Sequence, residues 1–273
     1  MLNAGGMGIA AEASEMWNLV TVLSLIASVV FGVLFQRERA RRKGGGLLGG
    51  APIPTVALDH LDPIFAPGPF GPSRDTEVSF IGRGPLVVPG GTSDGEAWIL
   101  SVLAKRAHTC FEFGTCTGKT AYLWARNASK DVQIVTLTLA PQQASEYVRD
   151  ARDTEGDTGF ALAESAFTDF LYSDAPEASR ITQLFGDSKA FDETAYTSWA
   201  DLVFVDGSHA ESYVESDSAK AMRIVKPGGL VLWHDYAGPA HAPGVYAVLN
   251  RLARTVPIRR IEGTSFAVWR RVS

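Results

Sequence analysis

Cysteine is scarce in this chain: 273 residues carry two, Cys110 and Cys116. Their spacing matches neither a C-x-x-C dithiol nor a zinc-ligand pattern, which excludes a disulfide framework, a thiol redox centre and a structural zinc module. Both read as reduced thiols in a reducing compartment. Positive charge is also in deficit. Lys and Arg total 25 against 30 Asp and Glu, a net charge of −5. That balance excludes an extended nucleic-acid surface, and the basic residues are clustered locally instead. Internal repeats are lacking, so a solenoid is excluded. Residues 17–35 (WNLVTVLSLIASVVFGVLF) contain no charge at all.

That uncharged run corresponds to roughly 28 Å of helix, close to the hydrocarbon thickness of a bilayer. Glu12 and Glu15 precede it, without any Lys or Arg; Arg37, Arg39, Arg41, Arg42 and Lys43 follow it. A cleaved signal peptide carries its positive charge in front and has a shorter apolar run. The pattern therefore predicts a short extracytoplasmic tail (1–16), a single transmembrane helix (17–35) and a cytoplasmic catalytic part. A basic then Gly/Pro-rich linker (36–72) follows, with prolines at 52, 54, 63, 67, 69 and 72. Its last stretch is expected to run extended over the domain, pinned by Phe65 and Phe70.

From residue 73 to 273 the hydrophobic period alternates between helix and strand, and the apolar content of 46% is ordinary for a globular domain. Residues 93–107 read as a capped helix. Strands are expected at 109–113, 132–138, 181–185, 200–205 and 230–233, and helices at 142–152, 211–225 and 244–255. Lys226-Pro-Gly-Gly229 is expected to break the second of these helices, and Tyr246, Leu249 and Leu252 to form the inner face of the last. An antiparallel hairpin at 258–262 and 265–270 closes the chain. The pattern predicts an α/β, Rossmann-like, mostly parallel sheet covered on both faces. Its carboxyl edge carries Glu112, Gly114, Thr138, Asp187, Asp206, His209, His234 and Asp235, where ligands bind in such sheets.

The centre of the pattern is Cys110-Phe-Glu-Phe-Gly-Thr-Cys-Thr-Gly-Lys-Thr120: a strand, a glycine turn and a helix start, the cradle of a nucleotide-like ligand. Two ligand classes compete for it. Gly114-Thr-Cys-Thr-Gly-Lys-Thr120 looks like a phosphate-binding P-loop, with Asp206 as the acid of a second strand. It has three residues between its glycines where that loop needs four, and Phe113 stands where the first glycine belongs.

Glu112-Phe-Gly-Thr-Cys-Thr-Gly118 also resembles the E-x-G-x-x-x-G motif of class I S-adenosylmethionine-dependent methyltransferases. Further along, Asp201-Leu-Val-Phe-Val-Asp-Gly-Ser-His209 and Lys226-Pro-Gly-Gly-Leu-Val-Leu-Trp-His-Asp-Tyr236 are similar to the sugar and small-molecule O-methyltransferases of methyltransferase family 24. The resemblance implies a seven-stranded sheet and S-adenosylmethionine as cofactor. It places Glu112, Gly114, Thr115, Gly118, Thr138, Asp187, Ser188 and Asp206 at the cofactor, with Asp187 meeting adenine. One departure stands out: Thr138 occupies the place where the family carries an acid for the ribose hydroxyls. The loss of a charge-assisted pair is worth about 1–2 kcal/mol of binding.

For catalysis the candidates are His209, His234 and Asp235, a histidine being the natural acceptor of a hydroxyl proton. Asp206 with Asp235 could instead hold Mg2+, as in some sugar methyltransferases of this branch. His241 is expected to border the acceptor pocket or be exposed. The long insertion 153–180, with Phe160, Phe167, Phe170 and Tyr172, is expected to form an acceptor lid together with the proline-rich entry segment. The expected activity is O-methylation of a sugar, a lipid-linked glycan or another small molecule at a membrane, with no nucleic-acid partner. A catalytically degenerate, membrane-tethered scaffold is the alternative. The acceptor and the oligomeric state, including self-association, stay open.

Overall fold

The computed structural model describes residues 53–272, besides the isolated Gly32. Apart from that glycine, the apolar run 17–35 and the basic cluster after it lie outside the described residues. Among the described residues no helix is long and apolar enough to cross a membrane.

Among the described residues eight strands form one sheet, rather than the expected seven: β1 (Thr55–Val56), β2 (Thr109–Phe113), β3 (Gln133–Thr138), β4 (Ile181–Phe185), β5 (Ala200–Val205), β6 (Val225–Trp233), β7 (Arg259–Ile261) and β8 (Ala267–Arg270). Their order is β1-β7-β8-β6-β5-β2-β3-β4. Only β8 runs against its neighbours, β6 and β7. The additional strand comes from the proline-rich segment, whose Thr55 and Val56 pair in parallel with Arg260 and Ile261. Leu61, Ile64 and Phe65 of that segment are buried, whereas Phe70 is 99% exposed, so one expected pin holds and the other does not.

Alternation along the strands sorts side chains to two faces. Cys110, Ile134, Leu202, Phe204, Leu230 and Leu232 point to one core, which α2 (Asp94–Ala104) and α3 (Lys119–Asn127) cover. Phe111, Phe113, Val135, Val203, Val205 and Val231 point to the other, covered by α5 (Glu211–Ile224) and α6 (Pro243–Leu252). The remaining helices are the short α1 (Leu58–Leu61) and α4 (Glu155–Glu164) in the insertion. α2 opens on a complete capping box between Ser93 and Glu96, as its sequence predicts.

Three local expectations differ from the structure. The stretch 142–152 is a 3-10 turn (Pro141–Glu146) followed by irregular chain, because its polar residues offer no apolar face to bury. Lys226-Pro-Gly-Gly229 lies inside β6; the register shifts opposite Ala200 and Leu202, so the glycines are absorbed as an irregularity of the ladder. The buried face of α6 is Gly244, Val245, Val248 and Leu249, with Tyr246 and Leu252 only half-buried.

The sheet reverses its winding between β2 and β5, since the chain runs outward through β3 and β4 and then returns to pair β5 with β2. Gly114 ends β2 at that point with φ +94°, and a Cβ there would fall 2.0 Å from the Asp206 carbonyl oxygen. Its glycine identity therefore serves the approach of two backbones, not only that of a ligand. Gly114→Ala is expected to lower stability by on the order of 3 kcal/mol, read as a fall in the denaturation midpoint. A native midpoint would show that the two turns separate without cost.

Candidate active site

The winding reversal leaves a narrow cleft of about 60 Å³ beyond the carboxyl ends of β2, β3, β4 and β5. Of the residues expected at the cofactor, Gly114, Thr138, Asp187, Ser188 and Asp206 line it. Cys116 lines it too, and burial pushes its thiol up to about 12, which makes it inert. The turn carrying Asp187 and Ser188 is held by Lys220 of α5, whose Nζ donates to the carbonyls of Ser188 (2.5 Å), Lys189 (2.9 Å) and Phe191 (2.5 Å).

Glu112, Thr115 and Gly118 are placed elsewhere. The first two belong to a buried relay: Tyr172 O–H donates to Gln183 Oε1, Gln183 Nε2 to Thr115 Oγ1 (3.2 Å), Thr115 to Thr136 Oγ1 (2.7 Å), and Thr136 to Glu112 Oε2 (2.6 Å). It ties the insertion to β4, the glycine turn, β3 and β2 through interior positions. Gly118, with φ +77°, lies under the insertion, and a Cβ there would meet the Tyr172 ring at 2.6 Å. Aromatic rings thus cover the start of α3 where a P-loop would hold phosphate. Lys119 agrees, since its Nζ is buried without a hydrogen-bond partner and its side chain is not part of the cleft.

The three catalytic candidates converge on a smaller pocket that shares Asp206 with the cleft. Asp235 sits at φ +58°, a left-handed backbone at the end of β6 that turns its carboxylate toward three imidazoles. His209 Nε2 lies 2.8 Å from Asp235 Oδ2, His241 Nε2 3.3 Å from Oδ1, and His234 Nδ1 3.2 Å from Oδ2. His234 is fastened at both ring nitrogens: Nδ1 is also 2.8 Å from Asp206 Oδ1, and Nε2 is 3.5 Å from Glu96 Oε2. Glu96 is itself fixed by Ser265, whose N and Oγ each donate to Oε1 at 2.7 Å.

Burial opposes charge on His234, yet Asp206 and Asp235 outweigh it and raise its pKa well above the usual value. Asp235, met by three rings, is held far below the ordinary carboxylate range although its burial pushes the other way. Asp206 has one ring partner, and burial pushes it up. His209 is raised too, Asp235 overcoming desolvation, and its ring stacks on Phe160 of α4 at 4.8 Å. His234 is therefore a locked cation that positions its neighbours, whereas His209 stands as the base candidate.

Asp206, His234 and Asp235 offer ligand atoms within 4.8 Å of one another. This donor set does not fit magnesium as arranged. One of the three is an imidazole nitrogen, and both carboxylates are already paired with imidazoles.

Sequence reasoning missed Glu96, Tyr147, Glu164, Tyr213 and Asp217, whereas Phe160 was expected in the lid. Glu96 was concealed by its capping role. Tyr213 and Asp217 lie four apart on α5 and so share the face toward the strand ends, a periodicity that could have revealed them. The insertion does reach the cleft, through Ala161, Glu164 and Ser165.

A winding reversal, a glycine turn after the first central strand and acids at the next strand ends are what an α/β domain needs to take a nucleotide-like ligand at its switch point. Residues 111–236 match the family model described as a methyltransferase domain, methyltransferase family 24. The match runs from β2 to just past the end of β6 and supports reading the described domain as an S-adenosylmethionine-dependent methyltransferase. No curated protein matches it. Solved structures similar to it include the O-methyltransferase TomG of Streptomyces achromogenes, involved in tomaymycin synthesis, in complex with S-adenosylmethionine (18% identity, 67% of this chain and 82% of that chain, TM-score 0.47). Others are the Podospora anserina methyltransferase PaMTH1 bound to S-adenosylhomocysteine (15%, 67% and 80%, 0.49) and a Bacillus cereus O-methyltransferase complexed with the same product (14%, 66% and 82%, 0.45). Likeness at this level assigns no function.

Glu112 yields a test of the relay. Burial pushes its carboxyl up to about 8 against the hydrogen bond from Thr136, so the folded protein keeps a proton that the unfolded chain gives up near pH 4.5. An acid raised on folding removes stability as pH climbs from the lower value to the upper. Glu112→Gln is therefore expected to gain on the native protein between pH 5 and pH 8, by on the order of 2–4 kcal/mol in denaturant titrations. A constant difference across that range would mean that Glu112 is ionised in the fold.

Proposed function

We propose that this domain transfers a methyl group from S-adenosylmethionine to an oxygen of a sugar, lipid-linked glycan or other small molecule. The observation that carries the reading is the charge of the cleft: Glu164, Asp187, Asp206 and Asp217 line it, and no Lys or Arg does among the described residues. Such a lining repels a triphosphate and attracts a sulfonium with an ammonium group. Burial pushes Glu164 up to about 8, with Asp206 and Asp235 adding to the shift and His209 and His234 opposing it.

S-adenosylmethionine, when bound, supplies an electrophilic methyl carbon and a neutral sulfide leaving group. The chain's residues then have to align an acceptor hydroxyl and take its proton. His209, backed by Asp235, receives that proton in this reading, and the resulting imidazolium is stabilised by the carboxylate behind it. His234, locked between Asp206 and Glu96, sets the position of both acids. Phe160 stacks on His209 and closes that side of the pocket. Residues 17–35 and the basic cluster support a single-pass anchor with the domain on the cytoplasmic side, so that the acceptor is met near the bilayer.

Thr138 in place of an acid favours a second reading, a cofactor fold kept as a membrane-tethered binding module. Calorimetry separates the readings: micromolar binding of S-adenosylmethionine and none of magnesium-ATP is expected, while silence with both supports the module. His209→Ala is expected to lower kcat about 10²–10⁴-fold at nearly unchanged cofactor affinity. Full turnover in that variant would remove His209 from the chemistry.

A further inference from the structure

One polar atom of the cleft has nothing to bond. Asp217 lies on α5, four residues beyond Tyr213, and is only 2% exposed. Its side chain lines the cleft, and its Oδ1 has no hydrogen-bond partner. A buried acceptor without a donor is costly to a fold, and such atoms are rare unless a ligand completes them. Asp187, the acid expected from sequence to meet the nucleobase, is differently placed. Its Oδ1 accepts from the Lys189 backbone N–H at 2.9 Å, and its Oδ2 accepts from the Tyr213 hydroxyl at 3.2 Å. Both of its oxygens already serve the protein.

We infer that Asp217 makes the nucleobase contact of this cleft, its carboxyl taking the N1 and exocyclic-amine edge of adenine. The assignment rests on the reading of the cleft as a site for an adenosyl sulfonium. Adenine presents a hydrogen-bond acceptor beside a donor on that edge, and a carboxyl group presents the complementary pair. Burial pushes Asp217 up to about 7 against a hydrogen bond from the Ser188 side chain, so near neutrality the carboxyl can donate as well as accept. Tyr147 and Tyr213, stacked at 4.3 Å, line the same cleft and add aromatic surface for a flat base.

The test is calorimetry on the full chain with S-adenosylhomocysteine and with its N6,N6-dimethyl analogue, which lacks the amine hydrogens. The native protein is expected to prefer the unmodified nucleoside by about tenfold or more. Asp217→Asn keeps one acceptor and one donor, and is expected to retain both affinity and preference within about threefold. Asp217→Leu is expected to bind S-adenosylhomocysteine at least about tenfold more weakly and to lose the preference. Its ligand-free unfolding temperature reports the cost of losing the Ser188 hydrogen bond separately from the loss of the ligand contact. Native-like binding by the leucine variant, or weaker binding with the preference intact, overturns the assignment. Failure of the native chain to bind S-adenosylhomocysteine at all overturns the cleft reading together with it.

Discussion

The site depends on how closely two strands can end side by side. β2 and β5 finish at Gly114 and Asp206, where the Asp206 N–H donates to the Phe113 carbonyl at 2.8 Å and any side chain at 114 would collide with the Asp206 backbone. The His234 N–H in turn donates to the Val205 carbonyl at 3.1 Å, so β6 ends in step with them. That alignment sets Asp206, His234 and Asp235 within reach of one another. It also opens the cleft at the one place where the sheet reverses its winding. A fold-level constraint, backbone against backbone, thus precedes all the chemistry.

Charge is then divided between two neighbouring pockets. The larger one is lined by carboxyls without a cation, an environment that raises acids and invites a positive ligand. In the smaller one three imidazoles surround Asp235, and the same kind of burial yields ion pairs instead. Asp206 belongs to both and couples them. The two environments resemble what methyl transfer asks for: a place for a sulfonium and, next to it, a place for a departing proton.

Much of this was legible in the sequence because it is written in local patterns. The strand positions followed from apolar runs that stop at Gly114, Asp187, Asp206 and Asp235, and the capped helix α2 followed from Ser93 and Glu96. The eighth strand was not legible, because two residues between prolines carry no period; only the edge of β7 makes Thr55 and Val56 a strand. Nor was the interior role of Glu112 and Thr115, since a motif names the residues of a turn but not which way each faces. The family resemblance directed attention to Asp187, whereas the acid with an unpaired oxygen, Asp217, sits on a helix whose sequence reads as an ordinary amphipathic face. Glu96 was legible as a cap, and its second contact, with His234, needed the folded chain.

The account stands on a nucleoside sulfonium occupying the acidic cleft at the winding reversal. The most direct measurement is a crystal structure of the chain with S-adenosylhomocysteine bound. The account requires the nucleoside to lie against Gly114, Thr138 and Asp206, with its sulfur directed toward the pocket of His209 and Asp235. A ligand seated outside that cleft, or one whose sulfur faces away from Asp235, would contradict it.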